Sequence, residues 1–393
     1  MTRITRYILR EVFLVFILTL LGMTAIMMVV GVLQEALQQG LGIVPVLQLI
    51  PYLIPNALRF AVPGTILFAV CIVYGRVAAD NEVVAIKSLG LHPLVLVWPT
   101  LILAFLTSLF AVWLNDVAVS WGREGVRRVV LRSLEQIAYG MLETQRAYTS
   151  DRFSITVMDV QGRRLIEPTL TFFGGESDQT LVLKAAEAKI HFDSTEEVLD
   201  IEMLNGRVML GSKLSYRAPG ITHERIPLGL KDKRNEISPS QCSLRVIPVE
   251  TTRQRKELEV LEQSIAAEAS FDLAIGDLRV FDSPKWQKRF KNRLDARTRL
   301  CRLQTEPWRR WANGFSCFFF VMVGVPLSIR LKNSDFWTSF GLCFLPILVV
   351  YYPLLAFGVD RAKAGDLPPY VVWLGNAVLC LFGLALLRRV IRY

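Results

Sequence analysis

Six stretches of this sequence run for about twenty residues with almost no charge, and any fold must first accommodate them. They fall at about 12–33, 58–74, 94–115, 311–329, 336–359 and 370–387. An α-helix needs roughly 20 apolar residues to cross the hydrocarbon core of a bilayer, so each stretch reads as a transmembrane helix. Composition agrees: of 393 residues, 52% are hydrophobic and 20% charged, and the mean hydropathy of +0.38 is too high for an ordinary water-soluble domain. Trp98 and Trp113 stand near the two ends of the third stretch, as interfacial anchors do. The expected fold is an α-helical integral membrane protein with six spans, and an extracytoplasmic antiparallel β domain, a sandwich or open barrel, inserted between helices three and four. Its expected parts are a first membrane half over 1–115, a β-rich domain over 116–307 and a second membrane half over 308–393.

The polar stretch from Tyr74 to Pro93 separates the second and third spans. Arg76 to Leu89 contains neither Gly nor Pro and predicts three to four helical turns, with Gly90 placed to end them in a left-handed cap. Asp80 and Glu82 fall early and Lys87 late, which suits the helix macrodipole. Two readings stand side by side: an ordinary interfacial loop helix, or a rigid charged element that docks on a soluble partner.

The stretch over 43–75 is longer than one straight span requires and is interrupted by Pro51, Pro55, Pro63 and Gly64. An interfacial entry segment followed by a span from about Leu58 is therefore expected. Arg59 either snorkels to the headgroups or meets an anionic substrate.

No spanning run occurs between about 116 and 307. The portion over 122–145 reads as a basic helix carrying Arg123, Arg127, Arg128 and Arg132. From Arg146 the period shifts to two, giving strands over 153–160, 165–173, 181–192, 198–204 and 207–211 with turns between them. Helical spacing returns over 251–270, with Leu258, Leu261 and Ile265 on one side. The segment over 285–310 is strongly basic, with Arg289 and Arg293 near its middle. It is either a solvated helix face or a surface for anionic headgroups or substrate phosphates.

An even number of spans puts both termini on one side. With the termini cytoplasmic, the short inner segments carry Arg3, Arg6, Arg10, Arg76, Lys87, Arg330, Lys332, Arg388, Arg389 and Arg392, and the outer short loops carry Arg361 and Lys363. The formal net charge of +10 points to lipid headgroups as the anionic partner, with no nucleic acid implied. No cleavable signal peptide is expected. The three histidines are scattered, so neither a metal nor another cofactor is expected. Cys242 and Cys301 are the two cysteines able to meet outside the spans, and their spacing leaves a disulfide open. No Walker loop, catalytic triad or H-E-x-x-H motif is present, so no catalytic residue is expected and work must come from a partner. A transporter subunit and a membrane-anchored scaffold or binding protein of the cell envelope both fit.

The run-up to the first span, Arg6 to Glu11 (RYILRE), the stretch from Pro63 through Gly75, Arg76, Asp80 and Glu82 to Gly90, the V-P-L-S-I-R exit at 325–330, and Leu367 to Pro369 together carry a resemblance. The chain resembles the LptF/LptG (YjgP/YjgQ) family of lipopolysaccharide-export permeases, and V-P-L-S with R-Y-I-L-R-E leans to the F-type paralogue. The resemblance implies an inner-membrane subunit that pairs with a second six-span permease and rides on a dimer of ABC ATPases. It further implies extraction of lipopolysaccharide from the membrane and hand-over, by a jellyroll-like β domain in the periplasm, to a periplasmic bridge protein. Under it, residues 76–89 form the coupling helix, Arg76, Asp80, Glu82, Lys87 and Gly90 belong to the ATPase contact, and Arg59, Arg289 and Arg293 are the candidate substrate or headgroup contacts. Departures from the family pattern fall at Val77, Ser88 and Leu89, and the segment over 251–310 is longer and more basic than the family implies.

Overall fold

The computed structural model describes residues 3–39, 43–122, 125–126, 129, 139, 142–143, 146–149, 153–162, 164–172, 181–193, 198–210, 214–227, 238–275, 283–331 and 336–392. The helices are α1 (Arg3–Gln39), α2 (Ile43–Ala79), α3 (Glu82–Ser88), α4 (Leu94–Val117), α5 (Ile247–Ile275), α6 (Pro284–Arg330), α7 (Phe336–Pro346), α8 (Tyr352–Ala364) and α9 (Leu374–Arg392). A wider π turn over Ile347–Tyr351 joins α7 to α8 into one membrane-length rod. Six of these rods are long and apolar enough to cross a membrane. The chain is thus an α-helical membrane protein with an antiparallel sheet inserted between its third and fourth spans.

The chain divides into two compact units. The first comprises Met1–Met28, Ile54–Arg123 and Ser238–Tyr393. Its core is a continuous apolar cluster in which Ile8 and Val12 of α1, Val70 and Val77 of α2, Ala104 and Ala111 of α4, and Val321 of α6 are all buried. Small residues set the closest helix approach. A Cβ on Gly314 of α6 would lie 2.9 Å from the backbone nitrogen of Val112 in α4, so only glycine allows that crossing.

The second unit comprises Val29–Leu53 and Glu124–Ile237. Nine strands form its antiparallel sheet: β1 (Ala147–Thr149), β2 (Phe153–Thr156), β3 (Asp159–Gln161), β4 (Arg164–Ile166), β5 (Thr169–Phe172), β6 (Leu181–Lys184), β7 (Glu187–Asp193), β8 (Val198–Leu210) and β9 (Leu214–Pro227). The order is β1-β2-β5-β6-β8-β7-β4-β3, with β9 on the other side of β8. β8 is the spine: its first half pairs with β7 and its second half with β6. The switch happens at a bulge between Leu204 and Gly206, where Asn205 takes φ 53° and its side-chain oxygen accepts from the Gly220 amide at 3.2 Å. Ile155, Leu165, Leu170, Leu183, Ala188 and Met203 close the core of this unit.

Several sequence expectations change here. α2 is one helix from Ile43, not an entry segment followed by a span from Leu58. Proline is tolerated inside a membrane helix because neighbouring groups satisfy the freed carbonyls. The Asn205–Gly206 pair is a bulge within β8 and not a turn, because the left-handed conformation at Asn205 is absorbed by the facing Gly220 on β9. β9 itself was not expected from the period-two pattern. The boundary drawn at 307 falls inside α6, which continues without a break from the basic segment into the fourth span. The basic helix over 122–145 and Lys332 fall largely or wholly outside the described residues.

Candidate docking site

The stretch after the second span is not one helix. α2 ends at Ala79, and Asn81 adopts a left-handed conformation with φ 56°, which amide side chains tolerate better than most. The chain turns there, and α3 restarts at Glu82. This corrects the expected unbroken helix over 76–89: three to four turns become the tail of α2, a kink at Asp80–Asn81, and seven residues of α3. At its far end α3 stops in a full Schellman motif. The Gly90 amide donates to the Lys87 carbonyl at 3.0 Å and the Leu91 amide to the Ile86 carbonyl at 3.2 Å, with Gly90 at φ 74°.

One side of α3 is fixed. Val83 and Ile86 are buried in the same cluster as Ile8, Val12 and Val77. Lys87 donates from Nζ to the Val390 carbonyl of α9 at 3.0 Å, so a cation sits on one of the last carbonyls of that helix, where the dipole favours it. Glu82 occupies the first turn of α3, the favourable end for an acid. The other side is open: Val84 is 56% and Leu89 73% exposed, and Leu91, Asp80 and Ser88 are exposed beside them. Apolar side chains on a short element whose opposite face is locked into the core are the expected features of a docking surface.

The base of this element is stiff. Arg76, in the last turn of α2, forms an ion pair with Glu11 of α1 and reaches Tyr7 Oη at 3.4 Å. Tyr74 is fully buried, donating its hydroxyl to the Leu96 carbonyl at 2.7 Å with Thr100 Oγ1 also at 2.7 Å. The support around α3 therefore draws on α1, α2, α4 and α9.

The remaining sequence candidates lie elsewhere. Arg59 sits on α2 with its guanidinium 4.5 Å from the Phe60 ring centroid. Arg289 pairs with Glu268, and Arg293 Nε lies 2.9 Å from Glu262 Oε1, so both are engaged by carboxylates of α5 in an α5–α6 hairpin. Trp286 closes the hairpin, fully buried, with its indole donating to Asp272 Oδ2 at 3.0 Å. Cys242 and Cys301 are free thiols.

A second polar cluster was not anticipated. Arg310 on α6 is 2% exposed and donates to Asp116 Oδ1 of α4 at 3.1 Å and to the carbonyls of Ser240 and Cys242. Glu306, one turn earlier, is buried against Arg309 at 2.6 Å, with Lys363 at 3.8 Å. The sequence signal was the crowding of charges just before an apolar span, read there as a solvated face or a surface for anionic headgroups or substrate phosphates.

The family model for the lipopolysaccharide export system permease LptF/LptG matches residues 6–389. The chain belongs to this family. That match takes in α1 to α9 and the whole sheet, leaving only the extreme ends outside it. The search against individual curated proteins gave no match. Membership makes the chain a multi-pass inner-membrane permease of the lipopolysaccharide-export type.

Proposed function

We propose that this chain is the membrane subunit of an ATP-driven lipopolysaccharide exporter and that α3 is where a separate ABC ATPase dimer docks. The observation that carries this is the two-sidedness of α3: Val83, Ile86 and Lys87 anchor one side while Val84, Leu89 and Leu91 stay open on the other. A rigid lever of this kind transmits closure of an ATPase pair to the helices that support it, because packed elements shift as units and do not deform smoothly. Arg76, Asp80 and Glu82 rim the exposed side, Gly90 fixes its end, and Lys87 holds it to α9. In this reading both termini and α3 are cytoplasmic and the sheet is periplasmic, passing substrate to a periplasmic bridge protein. A second six-span permease completes the lipid cavity, and Arg59 is the candidate contact to the substrate's anionic groups. The chain itself carries no catalytic role; ATP hydrolysis belongs to the partner.

Replacing Glu82 with arginine tests the docking role. Its charge lies in the first turn of α3, outside the buried cluster, so Glu82→Arg is expected to abolish export while leaving the protein folded and in normal amount, with only the small loss of stability, on the order of 1 kcal/mol, that a reversed charge at a helix start gives. Normal export in that variant would remove the coupling assignment.

A further inference from the structure

A cleft of about 210 Å³ opens where the ends of α2, α6 and α9 meet α3. Its apolar lining includes Ala78, Val83, Val84 and Ile329, and its charged lining is Lys87, Arg330 and Arg389. No carboxylate lines it among the described residues. The larger cavity of the first unit, about 440 Å³, is different: Arg302 and Lys363 are balanced there by Glu306 and Asp360, so it selects neither sign.

Helix dipoles alone do not explain the small cleft. Each cation lies in the last turn of its helix, where positive charge is favourable. Lys87 is accounted for by its hydrogen bond to the Val390 carbonyl. The side chains of Arg330 and Arg389, however, are exposed and make no ion pair or hydrogen bond among the described residues, although both line the same cleft. Like charges converging without a counter-charge repel one another, and an anion that joins them removes that cost.

We propose that this cleft binds the phosphate headgroup of an anionic phospholipid. Its position argues for that source of anion. Arg330 ends the fourth span and Arg389 lies in the last turn of the sixth, so the cleft sits at headgroup depth whichever way the protein faces. Arginine matches phosphate oxygens with paired donors, and Ala78, Val83 and Ile329 receive the glycerol and first methylenes beside them. A bound headgroup bridges Arg330 and Arg389 to Lys87 and so pins α3 to α6 and α9. The lipid thereby sets how firmly α3 is held, whatever docks on its exposed side.

Full-length protein in neutral detergent, titrated with phosphatidylglycerol, phosphatidylcholine or inorganic phosphate and read by native mass spectrometry, tests this. The expected result is saturable binding of phosphatidylglycerol, not reproduced by phosphatidylcholine and not displaced by equimolar inorganic phosphate. Arg330→Gln with Arg389→Gln weakens it by on the order of 30-fold, from two lost headgroup cations. Arg330→Lys with Arg389→Lys keeps the charge but not the paired donors and therefore binds between the wild type and the double glutamine variant, which separates loss of charge from loss of fold. Arg388→Gln, outside the cleft, leaves it unchanged. Equal binding of both lipids, or wild-type binding by the double glutamine variant, would overturn the proposal. Displacement by equimolar phosphate would make this a free-anion site, and photo-cross-linking that captured an acidic protein segment in the cleft instead of lipid would assign it to a protein partner; either result overturns the lipid assignment.

Discussion

Arg310 and Asp116 lie 194 residues apart in sequence and 3.1 Å apart in space. The same Asp116 oxygen accepts the Leu244 amide at 2.7 Å. One carboxylate at the end of α4 therefore holds both the start of α5's approach and the buried arginine of α6. The chain leaves the first unit after Arg123 and returns at Ser238, so this clamp secures the return crossing beside the departing one.

Breaking the clamp from the arginine side is costly, because Asp116 and the carbonyls of Ser240 and Cys242 lose their shared donor. Arg310→Met is expected to lower the melting temperature in detergent by on the order of 5–10 °C. Asp116→Asn keeps an oxygen for Leu244 and costs less than half as much. Thermal unfolding of the two variants, followed by intrinsic fluorescence, checks the order; a larger loss for Asp116→Asn would contradict this account of the clamp.

Arg293 and Glu262 offer a test of what the basic segment does. Each is partly exposed, so the pair contributes less than about 1 kcal/mol. If the arginine serves the hairpin, Arg293→Glu weakens it through repulsion with Glu262, and adding Glu262→Arg restores it. Limited proteolysis of the α5–α6 hairpin reads this directly. A reversal that leaves the hairpin intact but cuts lipid binding, unrescued by the second change, would return Arg293 to headgroup recognition.

Cys242 is buried and Cys301 half-buried. Burial pushes the Cys242 thiol up, and Glu250 adds to the shift. A raised thiol keeps less thiolate at any given pH below its titration, so alkylation of Cys242 is slow at pH 7–8 and accelerates as pH rises. Maleimide labelling of folded protein is expected to favour the half-buried Cys301 over the buried Cys242. Equal labelling would show that the loop bearing Cys242 opens readily.

Much of this was legible in the sequence, and the reasons are specific. The spans are set by length and apolarity, which no tertiary context overrides in a bilayer. Gly90 was readable as a helix end because a left-handed Schellman position is where glycine is placed most often. Asn81 was not, because asparagine sits in helices often enough that one residue does not announce a kink. The mates of Arg76, Lys87 and Arg310 were invisible for another reason: Glu11, the Val390 carbonyl and Asp116 are 65, 303 and 194 residues away, and one is a backbone atom with no sequence signature. The bulge in β8 was read as a turn because Asn-Gly marks hairpins far more often than bulges.

The central claim is that α3 docks a separate ATPase, and co-purification tests it most directly. Tagged protein extracted in mild detergent is compared with a variant carrying Leu89→Asp and Leu91→Asp, two exposed positions at the end of α3 that lie outside the cleft with Arg330 and Arg389. The account predicts that the wild type brings down an ATPase and a second six-span subunit, with ATP turnover stimulated by lipopolysaccharide. It predicts that the variant keeps the second subunit but loses the ATPase. Recovery of the wild type alone and inert, or equal retention of the ATPase by both proteins, would contradict it.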